Sequence, residues 1–149
     1  MVELKDEKKR FEFLEHTADA YVAAYGKDLP EAFENAAFAM FEVMTDVVEV
    51  EPKIEDHVEI EAMDEYALLY SWLEALLVKF DSDGLLFSKF KILDFTRIAD
   101  GFRLQARVWG ERFDAKKHLQ KVGVKAVTYH RMEIIQGFNM VTLRFILDI

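Results

Sequence analysis

The chain has 149 residues, a formal net charge of −9 and no cysteine. That length is enough for one compact domain with a sizeable core, and the missing thiols exclude disulfides, thiolate zinc sites and a cysteine nucleophile. The acidic balance repels nucleic-acid phosphates, so any connection to RNA is expected to run through a partner.

The apolar fraction of 52%, with 13 Phe, fits a packed globule and not a disordered chain. No apolar run approaches the ~20 residues that span a bilayer. The opening stretch Met1 to Arg10 is charged and has no signal-peptide core, so the expected location is the cytoplasm. No Pro/Gly/Ser-rich linker divides the chain, and one domain over residues 1–149 is expected, with 1–10 as a frayed tail.

Phe11 to His16 and Ala20 to Tyr25 predict two strands hinged at Thr17 to Asp19. Gly26 and Lys27 then turn the chain into a helix with Asp28 as cap, Pro30 in the first turn and Glu31 completing a capping box. Its apolar positions Phe33, Ala36, Ala37, Met40, Phe41 and Met44 keep the helical repeat and read as core. Alternation from His57 to Met63 predicts a half-buried strand.

Asp64 can cap a second helix whose stripe is Leu69, Trp72, Leu73, Leu76, Leu77 and Phe80. The string Asp81-Ser82-Asp83-Gly84 resembles part of a calcium loop. Ile92 stands where the bidentate Glu would be, so it reads instead as a helix stop with Gly84 in the left-handed cap. Strands follow over Phe87 to Ile98, Phe102 to Trp109, Val124 to Ile135 and Phe138 to Leu147, with turns at Asp100-Gly101 and Gln136-Gly137. Gly110 to Gly123, with few apolar residues, reads as a mobile surface loop. The expected architecture is α+β, a two-layer sandwich in which a mostly antiparallel sheet is covered on one face by two helices.

Chemistry is sparse. There is no phosphate-cradling glycine loop, no Gly-x-Ser-x-Gly and no His-Glu-x-x-His, and the four histidines His16, His57, His118 and His130 share no metal-ligand spacing. Two carboxylates stand out. Asp19 lies between two apolar runs, where it serves either as a turn carboxylate or as an oxygen ligand. Asp148 follows the alternating Val141, Leu143, Phe145 and Leu147 and points away from their buried face, with the Ile149 carboxylate beside it. Hard oxygens of this kind are what Ca²⁺ or Mg²⁺ prefers, although spacing alone does not join residues so far apart.

The run Val124-Lys125-Ala126-Val127-Thr128-Tyr129-His130, preceded by Gly110-Glu111 and His118, leads to a strand ending in Leu147-Asp148-Ile149. Together with His16-Thr17-Ala18-Asp19 and the Ala32-Phe33 to Met44-Thr45-Asp46 helix, it resembles the archease family from about Phe11 to Ile149. The resemblance implies an accessory protein, not itself an enzyme, that activates the RtcB-type tRNA-splicing ligase. In that role it promotes guanylylation and multiple turnover and broadens the ligase's nucleotide use. It implies a divalent cation, Ca²⁺ before Mg²⁺ or Mn²⁺, held by Asp19, Asp148 and the main-chain oxygen of Ile149. Lys125 and His130 match a second family motif and are either functional or a solvated strand lysine and a hydrogen-bonded strand histidine. Two readings from other classes compete: a stand-alone metal-dependent hydrolase or nucleotide-processing enzyme, and a chaperone-like protein-binding domain.

Overall fold

The structure is a computed structural model that describes residues 9–14 and 19–149. The frayed-tail expectation for 1–8 and the strand end and hinge at 15–18, which include His16, lie outside the described residues.

Among the described residues, eight strands and two helices follow one another as β1 (Phe11–Leu14), β2 (Ala20–Gly26), α1 (Leu29–Met44), β3 (Ile54–Ala62), α2 (Glu65–Asp83), β4 (Leu85–Ile98), β5 (Gly101–Arg112), β6 (Ala126–Val127), β7 (Glu133–Gly137) and β8 (Met140–Asp148). A short 3-10 turn, Val47–Glu49, follows α1. Every strand pair is antiparallel, which makes the fold the expected α+β class. The strands divide between two sheets. The larger runs β1-β2-β8-β6, with β7 also on β8, and the smaller runs β3-β5-β4.

Both helices start where their caps dictate. Asp28 accepts the Glu31 N–H at 3.0 Å, and the Glu31 carboxylate reaches back to the Lys27 N–H at 2.6 Å. Asp64 accepts the Ala67 N–H at 2.8 Å. The Glu31 and Ala67 N–H groups are first-turn donors with no partner inside the helix, and the Glu31 carboxylate fastens the residue before the cap. α2 ends where Gly84 enters the left-handed region at φ 69°, so the Asp-Ser-Asp-Gly string is the expected helix stop.

α1 packs on β2 and β8 of the larger sheet and on β4 of the smaller, while α2 packs on β3 and β5 and reaches β6 and β7. The helices thereby join the two sheets around one apolar cluster that includes Phe33, Phe41, Trp72, Phe87 and Phe145. Trp72 is fully buried and its Nε1–H donates to the Phe33 carbonyl at 2.9 Å, so its one polar atom is satisfied across the helix pair. In β4 the ladder slips between Ile92 and Asp94. There the Glu34 carboxylate of α1 accepts the Ile92 N–H at 2.8 Å.

Three expectations change. Val124 to Ile135 is not one strand: between Ala126, opposite Asp148, and Glu133, opposite Arg144, seven steps along the chain face four along β8. The excess loops out in a turn closed by Met132 N–H to the Tyr129 carbonyl at 3.1 Å, with Arg131 at φ 57°. The final hairpin turns at Phe138-Asn139, not at Gln136-Gly137, since Gly137 pairs with Met140 and Asn139 takes φ 64°; asparagine tolerates that conformation. Gly110 to Gly123 is a surface loop only from Phe113 onward, because β5 continues through Arg112 and buries Glu111.

Candidate functional site

The two ends of the chain meet on β8. In the β2/β8 ladder Ala20 pairs with Leu147, and one further step of that register sets Asp19 opposite Asp148. On the other side of β8, Ala126 pairs with Asp148, and the Lys125 N–H donates to the Asp148 main-chain oxygen at 2.7 Å. β8 is therefore flanked at its end by Asp19 on one strand and by Lys125 on the other.

Alternation decides which way these groups point. Val141, Leu143, Phe145 and Leu147 are all buried in the core, so Asp148 belongs to the face turned away from α1 and α2. On β2, Val22 and Ala24 share the core face, and the same count puts Asp19 on the outward face with Asp148. Asp19, Asp148 and Ile149 are each half-buried. That setting limits water around the oxygens without the cost of taking a carboxylate into an apolar interior.

Lys125 lies beside this edge through its backbone and its side chain is exposed. His130 is less close. It sits in the turn that loops out between β6 and β7, exposed, with its N–H 3.3 Å from the Thr128 hydroxyl, which itself donates to the Ile146 carbonyl at 2.8 Å.

Among the described residues no three His, Cys, Asp or Glu side chains come together to hold an ion. Asp19, Asp148 and Ile149 carry hard oxygens, the donor type that Ca²⁺, Mg²⁺ or Mn²⁺ takes and soft metals do not.

A second polar cluster escaped the reading of the sequence. Glu111, almost fully buried, gathers the Glu51 N–H at 2.8 Å, Lys117 Nζ at 2.7 Å and His118 Nε2 at 3.0 Å on one carboxylate oxygen. Burial pushes its carboxyl up, but these donors and the Lys117 charge outweigh that and hold it at about 2. His118, also buried, accepts the Asp114 N–H on Nδ1 at 2.9 Å. Nε2 is then the protonated nitrogen that donates to Glu111, and the imidazole is neutral with both nitrogens used. This cluster ties the 113–125 segment to β5, and Lys121, whose ammonium lies 3.0 Å from both the Glu42 and Asp46 carboxylates, ties it to the end of α1. Its role is structural, and it delivers Lys125 to the end of β8. The signal for it was the pairing of a strand Glu with a His seven residues on, which no periodicity reveals.

His57 is exposed near Glu55 at 3.5 Å. No helix among the described residues is long and apolar enough to cross a membrane.

Comparison with known proteins places the whole described fold. Residues 11–149 match the Archease protein family (MTH1598/TM1083). An archease of Sulfurisphaera tokodaii is 49% identical over 95% of this chain and 99% of its own length. One from Methanothermobacter thermautotrophicus is 48% identical over 95% of this chain and 99% of its own. Among solved structures, the solution structure of Methanobacterium thermoautotrophicum protein 1598 superposes with a TM-score of 0.83 at 47% identity, covering 94% of this chain and 99% of that one. A Thermotoga maritima archease, described as a possible chaperone, shares the fold with a TM-score of 0.61 at 16% identity, covering 93% of this chain and 96% of that one.

Proposed function

This chain belongs to the archease family, and from that premise we propose that it is a non-catalytic activator of the RtcB-type tRNA-splicing ligase. It promotes guanylylation and multiple turnover of the ligase and broadens the nucleotides the ligase accepts. The observation that carries this reading, beside family membership, is the β2/β8 register, which pairs Ala20 with Leu147 and so brings the neighbouring Asp19 and Asp148 to the same end of the sheet.

Asp19, Asp148 and the Ile149 main-chain oxygen would hold a divalent cation, with Ca²⁺ the best match to an all-oxygen set and Mg²⁺ or Mn²⁺ also accepted. A bound cation supplies positive charge that attracts the phosphates of a nucleotide or a ligase intermediate. The chain's own contribution is placement. β8 and its two neighbours hold the carboxylates on an outward edge, where they can enter a site on another protein. Lys125 adds a cation beside them that can pair with phosphate oxygens. The net charge of −9 supports contact with RNA through the ligase and not directly.

Multiple-turnover ligation by a cognate RtcB-type ligase tests this reading. The protein stimulates the reaction, and Asp19→Ala/Asp148→Ala removes the stimulation while circular dichroism stays unchanged. A chaperone-like reading shares the protein partner but predicts protection of unrelated unfolded clients, and a client-aggregation assay separates the two.

A further inference from the structure

One side of α2 carries an aromatic surface in which Tyr70 packs against the core and Tyr66 stays open to solvent. Tyr66, Tyr70 and Glu74 recur every four residues and so line one stripe of the helix, apart from the buried Leu69, Trp72, Leu73 and Leu76. Tyr129, from the turn between β6 and β7, lies flat on Tyr70 with ring centroids 4.4 Å apart and planes 6° from parallel. Tyr129 remains 53% exposed and Tyr66 42%. Met63, 77% exposed, precedes the helix cap. The β7–β8 hairpin, which carries Phe138 at its tip, approaches the first turn of α2 where Gln136 Nε2 lies 3.5 Å from Glu65 Oε1.

The charge around these rings has one sign. Glu74 lies 3.5 Å from the Tyr70 hydroxyl, Asp64 caps the helix and Glu65 opens it. Burial raises the Tyr129 hydroxyl first, and Tyr70, Asp64 and Glu74 raise it further. The arginine next to this ring is turned elsewhere: the Arg131 guanidinium lies 6.0 Å from the Tyr21 ring, on the sheet face away from the helices.

An exposed stack of two phenols among carboxylates is chemically a receptor for a guanidinium. The flat cation can lie on the Tyr129 ring while its fork of N–H donors reaches the Glu74 or Asp64 oxygens. A nucleobase could stack on the same ring, but the carboxylates repel its phosphates.

We propose that the Tyr66, Tyr70 and Tyr129 surface is the docking site for an arginine-bearing segment of the partner protein. The identity of that partner as the ligase rests on the function proposed above.

Two arms test the proposal independently of that identity. In the first, ligase affinity is measured for wild type, Tyr129→Ala, Tyr129→Phe and Glu74→Lys. The expected result is about tenfold weaker binding for Tyr129→Ala and Glu74→Lys and near wild-type binding for Tyr129→Phe, which keeps the stacked ring. Wild-type affinity in Tyr129→Ala overturns the docking site and leaves the ligase reading standing. In the second, the blocked peptide Gly-Arg-Gly-Arg-Gly, its lysine counterpart and an octameric oligouridylate are titrated into the protein while tyrosine ring resonances are followed by NMR. The arginine peptide shifts Tyr66, Tyr70 and Tyr129 more than the lysine peptide does. No shift, or a stronger one from the oligouridylate, overturns the proposal. Absence of ligase binding by wild type removes the ligase reading alone, and the peptide arm then decides the docking site.

Discussion

The main-chain oxygen of Asp148 accepts the Lys125 N–H at 2.7 Å, so the end of β8 is fastened by its backbone and not by the aspartate side chain. Asp148→Ala therefore keeps the fold. The half-buried, outward side chain should change unfolding free energy by no more than about 0.5 kcal/mol, which urea unfolding measures. Calcium titration by calorimetry should show binding by wild type and its loss in the variant.

Glu111 gives the 113–125 segment its anchor, and its depressed carboxyl sets a pH dependence. The folded group titrates at about 2 and the unfolded one at about 4.5. The stability it supplies is fully present above about pH 4.5 and is lost as pH falls toward 2. The shift corresponds to about 3 kcal/mol, and with Lys117 and Lys53 open to solvent a contribution of about 2 kcal/mol is expected. Glu111→Gln should lose that amount at pH 7 and should flatten the stability profile between pH 4.5 and 2, as read by denaturant titration across pH.

Gly110 of β5 pairs with Phe87 of β4. A Cβ built there would sit 1.7 Å from the Leu86 carbonyl oxygen, a backbone atom that cannot swing aside. Gly110→Ala forces the strands apart next to Glu111 and should cost about 2 kcal/mol or more. A fall of several degrees in melting temperature is the readout.

Lys125 and His130 separate by position. The backbone of Lys125 is bonded to the β8 end, whereas His130 belongs to the looped-out turn. Lys125→Ala should cut ligase stimulation about tenfold or more with the fold intact, while His130→Ala should leave most of it. Parallel ligation assays on the two variants give the comparison.

What could be read in the sequence, and what could not, follows from the range of the forces involved. The helices announced themselves through local chemistry: Asp28, Asp64 and Gly84 act within one turn of where they stand, and the stripe of α2 is a short-period signal. The partition of the strands into two sheets is non-local, and so is the break between Val127 and Glu133, which depends on Thr128 reaching Ile146 and Tyr129 reaching Tyr70. The apolar alternation of Val127 and Tyr129 shifts phase across His130-Arg131 and resumes at Met132 and Ile134. Asp19 and Asp148 were legible as residue types. Their facing positions came from the β2/β8 register, and the family resemblance had implied them. Glu111 and His118 entered only as residues of the family resemblance, and their pairing was not read, because burial of a strand carboxylate is set by the segment that folds over it.

The account stands or falls on Asp19 and Asp148 acting together as the part of this protein that reaches the ligase. The direct measurement is multiple-turnover RNA ligation by a cognate RtcB-type ligase with GTP and a divalent metal, comparing no addition, wild type and Asp19→Ala/Asp148→Ala. Stimulation by wild type and none by a folded double variant is the predicted result. Equal stimulation by both, or no stimulation by folded wild type, would contradict it.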